Sequence, residues 1–398
     1  MEKNYMIPAK YVIKQSGAPG NACIKNQASP VFEEGMYPAY SASGQDVWLP
    51  YFDYESPGIV ISAVGARCGK TFLASGKYAV CANTHVLLID TEKCHPNYLQ
   101  YVLNDESWWD KGGAAQPFVK VKESLNKKIF LPELEKQKRI VSFLDSKCSY
   151  IDYILEQTRA SIEEYKKLKQ AVVTQSVTKG VHPNRQMKDS GIEWLGEIPD
   201  SWFVYRMANL YDERNENGQE YLPILTVSIN TGISDHEVAD DEQIRNFVRS
   251  EDRTKYKRVY VGDLAYNMMR AWQGAFGAVR VDGMVSPAYI VAKPKDEKII
   301  DSRYMEALLR TPSAVEEMHR YSRGITDFRL RLYWPEFKNI KVCLPSYEEQ
   351  REIADYIDAK TANIDNIIAE KEKLLVEMEK YKKAIIYEYV TGKKEVPT

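Results

Sequence analysis

The 398-residue sequence sets 54 Lys and Arg against 56 Asp and Glu, a formal net charge of −2, and is 44% hydrophobic and 28% charged. These are values of an ordinary globular protein, long enough for two or three domains with real cores. They exclude a spanning helix, because no run of about 18 apolar residues occurs, and the charge balance neither demands nor forbids a nucleic-acid partner.

The opening "MEKNYMIPAKYVIK" lacks a signal-peptide apolar core, so a cytoplasmic protein without a membrane partner is expected. Residues 1–130 are rich in Tyr, Val, Ile and Gly and are broken by turn signals such as "YPAYSASG" and "LASGKY". This is the pattern of a compact, mainly β domain, with a helix predicted around "NYLQYVLNDESWW". Within it, "GIVISAVGARCGKTFLASGKYAV" (58–80) invites comparison with a Walker phosphate loop, with "HVLLID" standing in for the second Walker strand. The comparison fails. The loop needs Gly-x-x-x-x-Gly-Lys-Ser/Thr, but position 64 is Val and the glycine comes one residue late, at 65. Nor does Lys70 open a helix, since residues 71–80 read as strand, Ser-Gly turn and strand. A tight glycine turn lifting Arg67 and Lys70 off a β framework is expected instead of an ATP site.

Six cysteines, at 23, 68, 81, 94, 148 and 343, are scattered like independent reduced thiols rather than a disulfide framework. Cys68, Cys81, His85, Cys94 and His95 match the spacing of no common zinc finger or ribbon. They read as small core residues and surface histidines, and no metal is expected.

Next comes the first copy of an internal repeat. Residues 131–178 align without a gap on 344–391 at an offset of 213, with 16 of 48 positions identical. Pro132 and Pro345, Gln137 and Gln350, Asp145 and Asp358, and Ile151-Asp152 and Ile364-Asp365 coincide. A proline precedes each copy and no Gly or Pro interrupts it, so each reads as one long helix. Apolar residues recur at about 3.5 spacing: Ile140, Leu144, Ile151, Leu155, Ile162, Tyr165, Leu168 and Val172, then Ile353, Ile357, Ile364, Ile368, Leu375, Met378, Tyr381 and Ile385. That is a coiled-coil seam, interrupted at Thr158 and Lys371. Helices of about 45 residues, roughly 65–70 Å long, exceed what one small core can cover, so pairing with each other is favoured over packing on separate domains.

Residues 180–201, starting with Gly, Pro and Asn, read as a linker. Residues 202–343 form a second mainly β block, with "GAVRVDGMVS" as a turn signal and "SRYMEALLRTPSAVEEMHRY" as a helical stretch. Its "SPAY" (286–289) lacks the amide or carboxylate and the second proline of an amino-methyltransferase loop, and no glycine-rich cofactor loop accompanies it. No catalytic residues and no cofactor are expected. The predicted order is α+β: domain 1–130, long helix 131–179, linker 180–201, domain 202–343, long helix 344–392.

The "LP…EQ" helix entries (Leu131-Pro132…Gln137 and Leu344-Pro345…Glu349-Gln350), Ile151-Asp152 and Ile364-Asp365, and "SGIEWLGEIPDSW" (190–202) together resemble the specificity subunit of a type I restriction-modification enzyme. "YPAYSASG", "GIVISAVGARCGKT", "CANTHVLL" and "GDLAYNMMRAWQGAFGAVRVDGMVSPAYIV" are similar to that family's target-recognition domains. One departure is that "SGIEWLGEIPDSW" does not also precede the first block. The resemblance implies a non-catalytic reader of double-stranded DNA. Each domain reads one half of a split site, and two antiparallel helices act as spacer and dock methylation subunits, two per chain. Restriction subunits join through that methyltransferase core. Because the two domains differ in sequence, the site should be asymmetric. Two alternatives stay open: a coiled-coil scaffold whose domains bind protein, and a specificity subunit of a methylation-only or type II-like system.

Phosphate contacts call for Lys, Arg, hydroxyls and backbone N–H groups, and base reading for Arg, Asn, Gln or Ser at groove depth. The first domain offers Ser41, Ser43, Arg67, Lys70, Lys77, Asn83, Gln116, Lys120 and Lys122, in or beside Gly/Ser turns. The second offers Asn267, Arg270, Trp272 and Gln273, with Arg320, Arg323, Thr326, Arg329 and Arg331 in the basic stretch "HRYSRGITDFRLR" (319–331). Trp194, Leu195, Ile198 and Trp202 read either as packing the linker on the helix pair or as a partner-subunit contact. Trp194, Leu195, Trp202, Gln137 and Gln350 are the partner-binding candidates.

Overall fold

The computed structural model describes residues 6–17, 23–237, 253–325 and 329–397. Its contacts divide the chain into two compact units. One is built from residues 1–159 and 373–398, the other from 160–372. Each unit thus contains one β domain and half of each long helix, rather than the serial segments expected from the sequence.

The core of the first unit is an antiparallel sheet of β1 (Ile13–Gly17), β2 (Gly58–Ser62), β3 (Thr71–Ala74) and β4 (Thr84–Ile89), in the order β1-β4-β2-β3. β2 is buried along its whole length. It therefore reads as a continuous apolar run without alternation. Ile59, Ile61 and Leu87 are fully buried, each stabilising the fold by about 1.5–3 kcal/mol. Helix α1 (Pro96–Leu103) packs its Tyr98, Leu99 and Leu103 into the same core, which α2 (Leu134–Lys179) joins through Ile140, Val141, Leu144, Ile151 and Leu155.

The second unit repeats this plan. Its sheet is β5 (Tyr211–Arg214), β6 (Leu264–Asn267), β7 (Phe276–Ala278) and β8 (Tyr289–Pro294), in the order β5-β8-β6-β7. α3 (Ser302–Leu309) takes the place of α1, and α4 (Tyr347–Val390) is the second long helix. The match extends to register: Ser62 faces Thr84 as Asn267 faces Tyr289, each pair shifted by 205 residues. The duplication legible in the helices therefore runs through the β domains as well.

Both long helices start at equivalent residues, Leu134 and Tyr347. Within each unit their segments run antiparallel. Lys382 donates to Asp152 at 2.6 Å and Arg159 pairs with Glu379 at 2.8 Å in the first unit. In the second, Lys169 holds Asp365 at 2.6 Å and Lys371 lies 5.6 Å from the Tyr165 ring centroid.

Several expectations need correction. Leu168 and Tyr381 leave the seam and are 48% and 53% exposed. Each lies four heptads beyond the first seam residue, and a 3.6-residue helix drifts about 20° per heptad against a 3.5 repeat, so the face has turned away. Thr158, expected to interrupt the seam, is buried within it. Residues 71–80 form two strands but no hairpin: β3 pairs with β2, whereas Ala79–Val80 joins Tyr37–Ser41 in parallel. Residues 302–321 form two helices, because Pro312 starts a new one with the Thr311 hydroxyl as its cap. The linker contains an antiparallel hairpin, Met187–Asp189 with Glu197–Pro199.

Candidate nucleic-acid interface

In the first domain the turn after β2, residues 63–70, is the hub of the surface. Gly69 has φ +95°, a left-handed backbone that favours glycine. The turn closes on itself through Ser62 N–H to the Lys70 carbonyl at 2.9 Å. The Ala63 N–H reaches the Asn83 carbonyl at 2.8 Å and the Gly65 N–H reaches the Pro117 carbonyl at 2.8 Å, gathering the turns that carry Asn83 and Gln116. Arg67 donates to the Ser43 hydroxyl at 2.6 Å, adding the 42–43 turn. Ser43, Arg67, Lys70, Asn83 and Gln116 are exposed on this face.

The other first-domain candidates fall elsewhere. Ser41 is buried, and its hydroxyl accepts the Ser43 N–H at 3.0 Å, so it shapes the turn. Lys77 stands at the opposite end of β3, 3.3 Å from Glu55 and over the Phe52 ring. Lys120 is half-buried and pairs with Glu123 at 3.4 Å, while Lys122 lies on the short helix Val121–Ser124.

In the second domain the turn after β6, residues 268–275, is the same structure. Gly274 has φ +90° and stands 205 residues after Gly69. The Asn267 N–H donates to the Ala275 carbonyl at 3.1 Å, as Ser62 does to Lys70. Asn267 is buried and its side-chain oxygen accepts the Met269 N–H at 3.0 Å, so it too shapes the turn. Trp272 donates to the Met269 carbonyl and meets His319 edge-on at 5.7 Å. Arg270 is half-buried and Gln273 exposed. The Leu332 N–H donates to the Met268 carbonyl at 2.8 Å, bringing up the basic stretch, in which Arg323 and Arg331 pair backbone to backbone. Arg323 lies 2.6 Å from Glu336, and Arg320 bonds Glu193 at 3.0 Å, which raises its already high pKa. Arg323, Arg329 and Arg331 are exposed. Thr326 lies outside the described residues.

Chemically, both faces offer cations and amides on turns anchored to a rigid sheet, and the second adds the Trp272 ring. Burial pushes the Cys81 thiol up to about 11 and those of Cys94 and Cys343 up to about 12, which makes them poor nucleophiles at neutral pH. Among the described residues no group of three or more His, Cys, Asp or Glu could hold a metal ion, and no helix is long and apolar enough to cross a membrane.

The family model described as type I restriction modification DNA specificity domain matches residues 32–164 and again 206–377. The chain belongs to this family. It is 29% identical over 353 residues to the type I restriction enzyme MjaVIII specificity subunit of Methanocaldococcus jannaschii, covering 83% of this chain and 77% of that one. Among solved structures, a chain from the work titled "Structural basis underlying complex assembly and conformational transition of the type I R-M system" matches with a TM-score of 0.68 at 14% identity, covering 98% of both chains. The HsdS subunit of Thermoanaerobacter tengcongensis matches at 0.52 and 15%, covering 98% of this chain and 97% of that one. At these identities the structures speak to the fold, which is that of the specificity subunits.

Within this specificity-domain fold, four of the five partner-binding candidates are interior. Gln137 is fully buried: its Oε1 accepts the His95 N–H at 2.8 Å and its Nε2 donates to the carbonyls of Pro132 and Lys93. Gln350 does the same with the Asp301 N–H and the carbonyls of Pro345 and Ile299. Each amide staples the start of a long helix to the start of a short one, with both Nε2 protons and one Oε1 lone pair spent inside the fold. Trp202 is fully buried and donates to Glu349 at 3.1 Å, and Leu195 is buried in the same cluster. Trp194 is half-buried against that core. Sequence reasoning also missed Tyr98 and Tyr304. Tyr98 bonds the carbonyls of Phe130 and Val390, and Tyr304 those of Cys343 and Val177. Their only sequence signal was their equivalent places in the two short helices.

Proposed function

We propose that this chain is the DNA-reading subunit of a type I restriction-modification enzyme. Its two target-recognition domains, residues 1–130 and 202–343, each read one half of a bipartite, asymmetric site. The long helices, 131–179 and 344–392, dock methylation subunits, two per chain, and restriction subunits join that assembly. Bond-making and bond-breaking belong to those partners.

The observation that carries this reading is the pair of equivalent turns. One scaffold, repeated in one chain, presents Arg67 and Lys70 in one domain and Arg270, Trp272 and Gln273 in the other. Sequence-specific contact requires different side chains on a fixed backbone, and two different readers give two different half-sites. Ser43, Arg67, Lys70, Asn83 and Gln116 form the first proposed contact set. Arg270, Trp272, Gln273, Arg323, Arg329 and Arg331 form the second.

Mapping methylated adenines genome-wide, in a host with and without this chain, tests the reading. The expected result is one split, asymmetric motif that depends on the chain. Replacing Arg323 and Arg329 together by Glu should weaken DNA binding by the assembled complex and flatten its salt dependence by about 0.9 in log–log slope for each phosphate no longer neutralised. A methylation pattern unchanged by removing the chain would favour a scaffold that binds protein through its domains.

A further inference from the structure

Beside the first turn stands an exposed aromatic side chain. Phe118 is 43% exposed, yet its backbone is held from two sides. It pairs antiparallel with Val64 of the turn and with Gly112. The Gly65 N–H donates to the Pro117 carbonyl at 2.8 Å, and the Val119 N–H to the Ala63 carbonyl at 2.9 Å, so both neighbours of Phe118 are tied to the turn. Arg67 and Gln116 of the first contact set stand on the same two segments. The ring lies on a floor of glycine. A Cβ at Gly112 would stand 2.8 Å from Phe118 Cζ, and one at Gly113 would stand 3.2 Å from its Cδ1. Gly113 has a left-handed backbone, φ +81°, but Gly112 does not. At Gly112 the ring itself is therefore the closest obstacle to a side chain. A ring seated on bare backbone, with its remaining surface in water, is a fixed apolar platform that gains from being covered.

We propose that Phe118 is a base-reading residue of the first domain, which packs its exposed ring against the 5-methyl group of a thymine in the major groove. This rests on the function proposed above. The thymine methyl is the apolar group that base edges present in the major groove, and Phe is a side chain that meets it. A phenyl ring carries no charge and no hydrogen-bond donor, so a phosphate contact is no use for this position. The second domain agrees. Its Leu332 N–H donates to the Met268 carbonyl at 2.8 Å, as Val119 does to Ala63, so the residue before it, Arg331, holds the place of Phe118. Both side chains are exposed. A place that carries Phe in one domain and Arg in the other is no shared hold on the duplex. It suits the reading of two different half-sites, because Arg pairs with guanine where Phe covers a methyl group.

The test uses the full chain assembled with methylation subunits. A pool of random-sequence DNA duplexes first yields the enriched bipartite site. Duplexes of that site are then made with deoxyuridine in place of one thymine at a time, which removes the methyl group alone. In the wild-type complex one such replacement should weaken binding by about threefold to tenfold, as expected for one methyl group no longer buried. Phe118→Ala and Phe118→Gln, the second keeping bulk over the glycines, should lose about the same factor on the thymine duplex and lose nothing further on deoxyuridine. Their salt slope should equal that of the wild type, because no phosphate contact is removed. A wild-type complex indifferent to deoxyuridine at every thymine overturns the assignment. So does a variant that stays sensitive at the same thymine. A lowered salt slope in the variants overturns it too, because the ring would then only be propping its cationic neighbours. A wild-type complex that enriches no bipartite site overturns the underlying reading of function and this proposal with it.

Discussion

The first and second units anchor their long helices through the same side chains, and expose different side chains from the same turns. Gln137 and Gln350 make the same three hydrogen bonds, and Tyr98 and Tyr304 each share a hydroxyl between a strand carbonyl and a helix-end carbonyl. On the two equivalent turns the left-handed glycine, the alanine at 66 and 271 and the backbone bonds that close the turn are shared, while Arg67 stands against Trp272 and Lys70 against Ala275. The difference shows where chemical identity is required. A buried polar group must have its full set of partners, so the residue type is fixed. An exposed position on a rigid turn needs only the backbone, so its side chain can differ between the two domains.

The strongest way to break this comparison is to remove one amide staple at a time. Gln137→Leu and Gln350→Leu each strand a buried N–H and two carbonyls, and should cost about 3 kcal/mol apiece. Urea unfolding of each variant checks it. A cost at only one of the two positions would show that the units are not equivalent. A sharper comparison concerns the turns. Gly69→Ala and Gly274→Ala both force an alanine into a left-handed conformation, at about 1–2 kcal/mol. The first should cost slightly more, because the new Cβ would stand 3.2 Å from Lys111 Cε, whereas at Gly274 the nearest atom is Val315 Cγ2 at 3.4 Å. Thermal melts would rank them. The smallest effect should come from the helix ion pairs. Lys382→Met and Lys169→Met each break a pair at 2.6 Å whose carboxylate is more than half exposed. Each should cost roughly 0–1 kcal/mol and have no effect at high salt. A double-mutant cycle with Asp152→Asn and Asp365→Asn measures both.

The long helices were readable because a proline start, a 3.5-residue spacing and a 213-residue repeat all point the same way. The duplication of the β domains was not. Their equivalent strands share few residues beyond Gly69 and Gly274, and fully buried strands such as β2 give no alternation from which to read register. The placement of the candidate contact residues was partly legible. Exposed cations beside glycine turns were found from composition, but Ser41 and Asn267 accept backbone N–H groups two residues on, a turn-shaping habit of Ser and Asn. Gln137 and Gln350 were flagged by their duplication, but a polar residue kept in both copies reads as a contact site until its burial is seen.

The Tyr98 hydroxyl bonds a carbonyl 292 residues away, and Ile385, Tyr389 and Val390 complete the core around α1. The second unit, by contrast, is one uninterrupted stretch, 160–372. On the ribosome the second unit therefore has all its residues before the first does. The first target-recognition domain must wait, its core open on the α1 side, until the end of the last helix emerges. The amino-terminal reader is the last part of the molecule to be finished.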